Sequence, residues 1–383
     1  MPVVGGRFVD GSRGGYRREL DIAVVGAGVL GLATTDALVR RGADVTCFDG
    51  RPPGSGLSGG LTRTFRNRHD DPRVVRLAVA GRAGYREWER RLGRRLVGDE
   101  GAVYAGMGEA DTAGLRANGV AHHFADAARH RELFGVLAPV SGRLLVDPGG
   151  GAIRARRVID ALAGWVGDRV VPADVHSVTV PSGGGVEIQT TEAIYRARHV
   201  VLCAGTAVPR LASGAGFEIP LRQALHARPH FRVREECRGG PLPCWVDRSG
   251  EFGEWVYGSP IGSTGSYVLG LIGPDVDVPF DARGALPPGS TMDTRVERLR
   301  SYARKAMPGL APEPVGIRVC VMTKLPVGSD GFRVWHAPGV SAVAGHNLFK
   351  LAPVLGELLA DTAQSDELPA TLREIGDAAM GVA

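Results

Sequence analysis

The chain has 383 residues and a formal charge of +5, from 46 Lys plus Arg against 41 Asp plus Glu. Its length supports a large core and two domains; its scattered basic residues form no nucleic-acid patch, and no apolar segment approaches the roughly 18 residues of a membrane span. Five cysteines without a CxxC pair argue against a disulfide framework or zinc site and, with no signal-like apolar stretch at the start, point to reduced thiols and a cytoplasmic protein.

Residues 1–18, rich in Gly and Arg without periodicity, read as a mobile leader. Residues 19–50 read as strand, glycine turn, helix and strand. A short β-branched run at 22–25 suits a buried parallel strand, and GAGVLG follows it at once. Gly26 permits the tight turn, Gly28 lets backbone amides approach a pyrophosphate, and Gly31 lets helix and strand pack closely. Asp49 closes the second strand, where a carboxylate accepts hydrogen bonds from a ribose hydroxyl pair. The unit is that of a dinucleotide-binding domain, with nicotinamide and flavin both open.

A loop rich in Gly and Pro follows, ending in Thr62-Arg63-Thr64-Phe65-Arg66, whose hydroxyls and two cations are placed to meet a ligand. Residues 73–92 make an amphipathic helix with Val74, Leu77, Ala78, Tyr85, Trp88 and Leu92 as its core stripe. His122, His123 and His130 have no acidic or cysteine partner at ligand spacing, so they read as surface or capping residues and no metal site is expected. A second helix is expected from Ile153, then strands at 169–171, 175–180 and 186–190. The run HVVLCAG at 199–205 reads as a parallel strand returning to the first sheet, so the nucleotide domain is discontinuous. Residues 216–310 alternate as an antiparallel sheet with one covered face, which suits a substrate domain. The tail then brings strands at 317–322, 332–335 and 340–344, and a turn at Gly345-His346-Asn347 that opens a helix and points amides at an anion. Only three of the cations are lysines, Lys305, Lys324 and Lys350; arginine and lysine are not exchangeable at a site, so a lysine retained here reads as chemical.

Taken together, GAGVLG with Asp49, GGLTRTFR, HVVLCAG, IPLRQ at 219–223, RVCVMTKLP at 318–326 and AGHNLFKLAPVLGELLADT at 344–362 resemble the monomeric sarcosine oxidase branch of the flavoproteins that include D-amino-acid oxidase. The resemblance implies an α/β fold: a discontinuous Rossmann-like FAD-binding domain at 19–95, 149–215 and 311–383, with a second α+β substrate domain at 96–148 and 216–310 on a mixed or antiparallel sheet. It implies FAD joined through Cys320, which alone would read as an inert core thiol, and a substrate-carboxylate clamp of Arg66 and Lys350. Thr62, Arg63 and Val175 match flavin-contacting positions, and Tyr257 matches a pocket aromatic. The implied reaction is oxidation of a secondary amine or cyclic amino acid to an imine, with oxygen giving peroxide, by a monomer acting on a small amino-acid-like substrate. The sequence departs from that branch where a lysine, a histidine and a tyrosine are replaced by Val268, Ile272 and Met322. These departures favour a bulkier or cyclic substrate over sarcosine and raise a dehydrogenase with another electron acceptor as the alternative.

Overall fold

The computed structural model describes residues 8–9, 17–262, 264–273, 276–278, 293–326 and 331–380. Most of the expected leader therefore lies outside the described residues, although Phe8–Val9 pairs antiparallel with the start of the Arg17–Val25 strand.

That strand is the centre of the first large sheet. Ile194–Leu202 runs parallel on one side of it and Val45–Phe48 on the other, with Val170–Val171 beyond. Val340–Gly345 adds a further parallel partner to the far end of Ile194–Leu202, and antiparallel strands Val175–Thr179, Val186–Thr190 and Phe332–Ala337 complete the layer. The unbroken apolar run has a simple cause. Ile22 and Val24 face a core built with Leu32, Leu355 and Leu359, while Ala23 and Val25 face a second core with Val178 and Leu211. Both faces are covered, so no polar alternation is possible. This is an α/β layer of Rossmann type.

The second large sheet is almost wholly antiparallel, running from Arg222–Val233 through Ser266–Leu271, Val256–Pro260 and Cys244–Asp247; the last pairs parallel with Ala102–Ala105. Leu310–Lys324, nearly all of which falls in the 311–383 stretch expected in the nucleotide-binding domain, pairs in the second sheet instead. It lies against Arg222–Val233 over nearly its whole length, with Cys320 opposite His226. An apolar strand reveals its period but not its partner, and this one is only half covered, with Val315 and Ile317 exposed.

Two local features bring the sheets to a common site. Thr62–Phe65 pairs antiparallel with Gly151–Arg154, so Ile153 is a strand residue opposite Arg63 and the helix expected there begins at Ala155. The Pro72–Leu92 helix starts at an Asp71 cap, whose side chain accepts from Arg73 N, and ends at left-handed Gly93. Its buried Tyr85 donates to Phe349 O at 2.7 Å. His130, expected at the surface, is buried at 8 % exposure. Among the described residues, no helix is long and apolar enough to cross a membrane.

Candidate active site

A cavity of about 1230 Å³ is lined by both large sheets, from the first glycine turn to the Gly345 turn. At one end Gly26 N donates to Phe48 O at 2.7 Å and Ala27 N to Asp49 Oδ2 at 2.9 Å. Asp49 Oδ1 accepts from Arg51 N at 2.9 Å, so this carboxylate braces the turn while lining the cavity. Gly26 has φ +106, and a Cβ there would stand 2.6 Å from Cys203 O, which shows how closely the returning strand passes behind it. Gly28 lines the cavity, and Val29 N donates to Ser58 Oγ at 2.9 Å, so the loop reaches back over the helix start. Gly31 does not line the cavity. It is a packing position, where a Cβ would lie 1.8 Å from Gly26 O. Buried Val175 is on the wall near Asp49.

The other end gathers cations. Arg63 donates to Thr62 O at 2.9 Å, Leu57 O at 3.1 Å and Gly59 O, and lies over the Phe349 ring at 5.6 Å. Burial, with the neighbouring Arg228 charge, pushes its guanidinium down to about 10. Arg228 is 6 % exposed and donates to the same Thr62 carbonyl at 3.3 Å. Thr62 itself is buried away from the wall, its hydroxyl 3.4 Å from Ser259 Oγ. Arg66 reaches the cavity, with one nitrogen donating to Arg68 O, and Lys350 reaches it at only 4 % exposure.

Lys350 is placed by the end of the Val340–Gly345 strand. Gly345 has φ +147, its carbonyl accepts from Thr323 Oγ1 at 2.7 Å, and Asn347 is left-handed before the short turn Leu348–Leu351. That hydroxyl bond ties the glycine turn to the strand bearing Cys320, which is half-buried on the cavity wall. Next to it, His226 Nε2 and Tyr257 Oη are 2.7 Å apart and their rings stack at 5.5 Å.

The structure thus brings Gly26, Gly28, Asp49, Arg63, Arg66, Val175, Tyr257, Cys320, Gly345 and Lys350 to one cavity, and leaves Gly31 and Thr62 behind it. Of the departures noted in the sequence, Ile272 and Met322 line the wall, whereas Val268 is buried within the second sheet. Arg68, Tyr104, His226, Arg228 and Arg248 also line it and were not singled out from sequence. His226 and Arg228 alternate on one face of the Arg222–Val233 strand, which also carries Arg222, His230 and Arg232.

A family model described as "FAD dependent oxidoreductase" matches residues 21–362. The human protein "Peroxisomal sarcosine oxidase" is 26% identical over 362 residues, covering 88% of this chain and 90% of its own length. Among solved structures, "NikD, an unusual amino acid oxidase essential for nikkomycin biosynthesis" superposes with a TM-score of 0.80 at 21% identity, covering 94% of this chain and 97% of its own. L-proline dehydrogenase from P. horikoshii gives 0.78 at 16% identity, covering 95% and 98%. These two likenesses describe the fold.

Proposed function

This chain belongs to the DAO family of FAD-dependent oxidoreductases, and from that premise we propose that it oxidises a secondary or cyclic amino acid to the imine with oxygen as acceptor. The cavity fits the cofactor. A turn that only Gly can occupy leaves amides at the cavity edge, and Asp49, a carboxylate with about four acceptor positions, uses two of them on Ala27 and Arg51. Gly26 and Gly28 would hold the pyrophosphate at the Val29–Arg40 helix start, Asp49 the ribose and Val175 the adenine side. Arg63 and Gly345 would hold the ring end, Cys320 would be its covalent anchor, and Gly31 and Thr62 would support those positions from behind.

Bound FAD supplies two-electron oxidation of the C–N bond. The chain's own residues do the rest. Arg66 and Lys350 bind and orient the substrate carboxylate, because charge-assisted bonds in a partly enclosed site fix both position and angle. Tyr257, paired with His226, gives the same wall a polar edge. Arg63 and Arg228 maintain a positive field that no carboxylate of the described residues on this wall offsets, since among them the acids lining the cavity are Asp49 and Asp174 at the nucleotide end.

The observation that carries this reading is the burial of Lys350 on the wall shared with Arg66 and Cys320. It is tested by adding N-methyl and cyclic amino acids to the purified protein without oxygen, then admitting it. Bleaching of the flavin colour followed by rapid return with peroxide supports the reading. Bleaching that only an artificial acceptor reverses would make the protein a dehydrogenase, the reading that Val268 favours by leaving no lysine at its place in the sheet.

A further inference from the structure

We propose that His226 fixes the Tyr257 hydroxyl as a hydrogen-bond acceptor toward the substrate nitrogen, so that the site selects a nitrogen still bearing hydrogen in its neutral form, as in a primary or secondary amine; this rests on the amine-oxidation reading above. Tyr257 and His226 stand on strands that are not neighbours. Val256–Pro260 and Arg222–Val233 flank Ser266–Leu271, one on each side, and strands two apart are separated by roughly 10 Å. Their side chains nevertheless meet above the strand between them, with His226 Nε2 2.7 Å from Tyr257 Oη and the rings 11° from parallel.

Gly270 makes this contact possible. It lies opposite Tyr257 in the intervening strand, and a Cβ there would stand 2.6 Å from His226 Nε2 and 2.6 Å from both Cε1 and Cζ of Tyr257. No left-handed turn asks for glycine at this place, since Gly270 continues a strand. What the glycine supplies is room for the two rings, the use that a glycine inside a strand often has.

The direction of the bond follows from the two groups. A phenol O–H is a stronger acid than the N–H of a neutral imidazole, and the imidazole nitrogen is the better base, so the oxygen donates and Nε2 accepts. The 2.7 Å separation is usual for an O–H donor and short for an N–H donor. Neighbouring charges act in the same direction. Arg228 lies over the Tyr257 ring at 5.9 Å and Arg63 interacts with the same phenol, and a nearby cation strengthens an O–H as a donor. Arg318 and Cys320 stand opposite Arg228 and His226 on the next strand, which adds a further cation and no acid. His226 is 2 % exposed, and it and Tyr257 both line the cavity. With its proton committed to His226, Tyr257 Oη presents lone pairs to the occupant of the cavity. A nitrogen-bound hydrogen matches them, whereas an ether oxygen sets acceptor against acceptor.

The test uses the FAD-loaded protein and two unreactive ligands of one shape: pyrrole-2-carboxylate, which carries a ring N–H, and furan-2-carboxylate, which carries a ring oxygen in its place. Binding is read from perturbation of the flavin spectrum. The wild type is expected to prefer the pyrrole acid by about 10-fold, the effect of one matched hydrogen bond against two facing acceptors. Tyr257→Phe, which removes a single oxygen, should bring the two affinities within about 2-fold. His226→Leu should do the same or reverse the preference, because the released hydroxyl can turn and donate to the furan oxygen, whereas His226→Gln, whose Oε1 accepts from Tyr257, should keep part of it. A residue that served packing alone would change both affinities together and leave their ratio unmoved. Equal affinities in the wild type, or an unchanged ratio in Tyr257→Phe or His226→Leu, overturn the inference. N-methylalanine separates it from the reaction: reduction of the flavin alongside equal affinities overturns the hydrogen-bond assignment alone, whereas failure of every N-methyl and cyclic amino acid to reduce the flavin overturns the reaction, and with it the amine as the ligand.

Discussion

Arg63 illustrates how a single residue can be kept charged in a place that resists charge. Burial and the Arg228 guanidinium lower its pKa to about 10, yet that value still leaves it a cation at neutral pH. The three backbone carbonyls that accept from it are the compensation, since they favour the charged form without adding an opposing ion. In the proposed clamp Arg66 and Lys350 would each contribute a charge-assisted contact to the substrate, so Arg66→Gln or Lys350→Met should weaken binding of a simple carboxylate by roughly 10- to 100-fold. Titration of the bound flavin's spectrum measures this directly, and an unchanged affinity in either variant would remove that residue from the clamp. A different residue governs acid stability. His199 is fully buried, with Nε2 2.9 Å from Ser341 Oγ and Nδ1 3.1 Å from Asp366 Oδ1. Burial depresses its pKa from 6.5 to about 4, with His336 and Arg198 acting in the same direction and Asp366 opposing them. Above pH 6.5 the ring is neutral both folded and unfolded and its effect is constant. As pH falls from 6.5 toward 4 the unfolded chain takes up a proton that the folded chain refuses, so stability is lost, by at most about 1.4 kcal/mol per pH unit. Thermal unfolding of wild type and His199→Gln at pH 7.5, 6 and 5 should show a steeper decline in the wild type; equal slopes would assign the acid sensitivity elsewhere.

At the scale of elements, the Pro72–Leu92 helix is the piece that sets where Lys350 sits. Its apolar stripe and its span, 73–92 from the sequence against Pro72–Leu92 in the structure, are legible in the sequence because helical periodicity is a local pattern. What the pattern does not reveal is the face that meets the C-terminal turn. A Cβ on Gly81 would come 2.9 Å from Lys350 O, and one on Gly84 would come 2.4 Å from Pro353 Cβ. Helix propensity alone favours Gly81→Ala by about 1 kcal/mol. Overpacking against a backbone carbonyl costs about 1 to 3 kcal/mol, and it should win. We expect Gly81→Ala to lower the melting temperature and weaken carboxylate binding together; a variant of raised stability with unchanged binding would show that the turn has room to yield. The same division runs through the rest of the chain. The glycine turn, Asp49 and the parallel strands were readable because strand, turn and helix follow one another within about 30 residues. Cys320 was readable as a strand residue but not as a member of the second sheet, since its pairing with His226 joins segments far apart in the chain. Tyr104, Arg228 and Arg248 were not readable as a group at all. They lie on segments far apart in the chain, and only the folded sheets bring them to one cavity.

For the molecule as a whole, the decisive arrangement is that the cavity belongs to neither sheet. Gly26 and Asp49 are carried by the first sheet, while Cys320, Tyr257 and Arg228 are carried by the second. A cofactor lying along this cavity would contact both layers, and one bonded to Cys320 would fasten the second sheet to whatever the glycine turn holds. Reversible binding stabilises a folded chain by RT ln(1 + [L]/Kd), about 2.7 kcal/mol when the ligand is at 100 times Kd, and that contribution falls on dilution. A covalent cofactor has no such dependence, because it cannot leave. Cys320→Ser therefore separates two forms of the same assembly. The wild type should keep its melting temperature on dilution or prolonged dialysis, and its yellow colour should remain with the precipitate in acid. The variant should release its colour to the acid supernatant, lose melting temperature as free FAD is removed, and regain it when FAD is returned. Colour that stays with the precipitated variant would place the linkage on another residue, and wild-type colour in the supernatant would leave the half-buried Cys320 thiol as part of the cavity wall only.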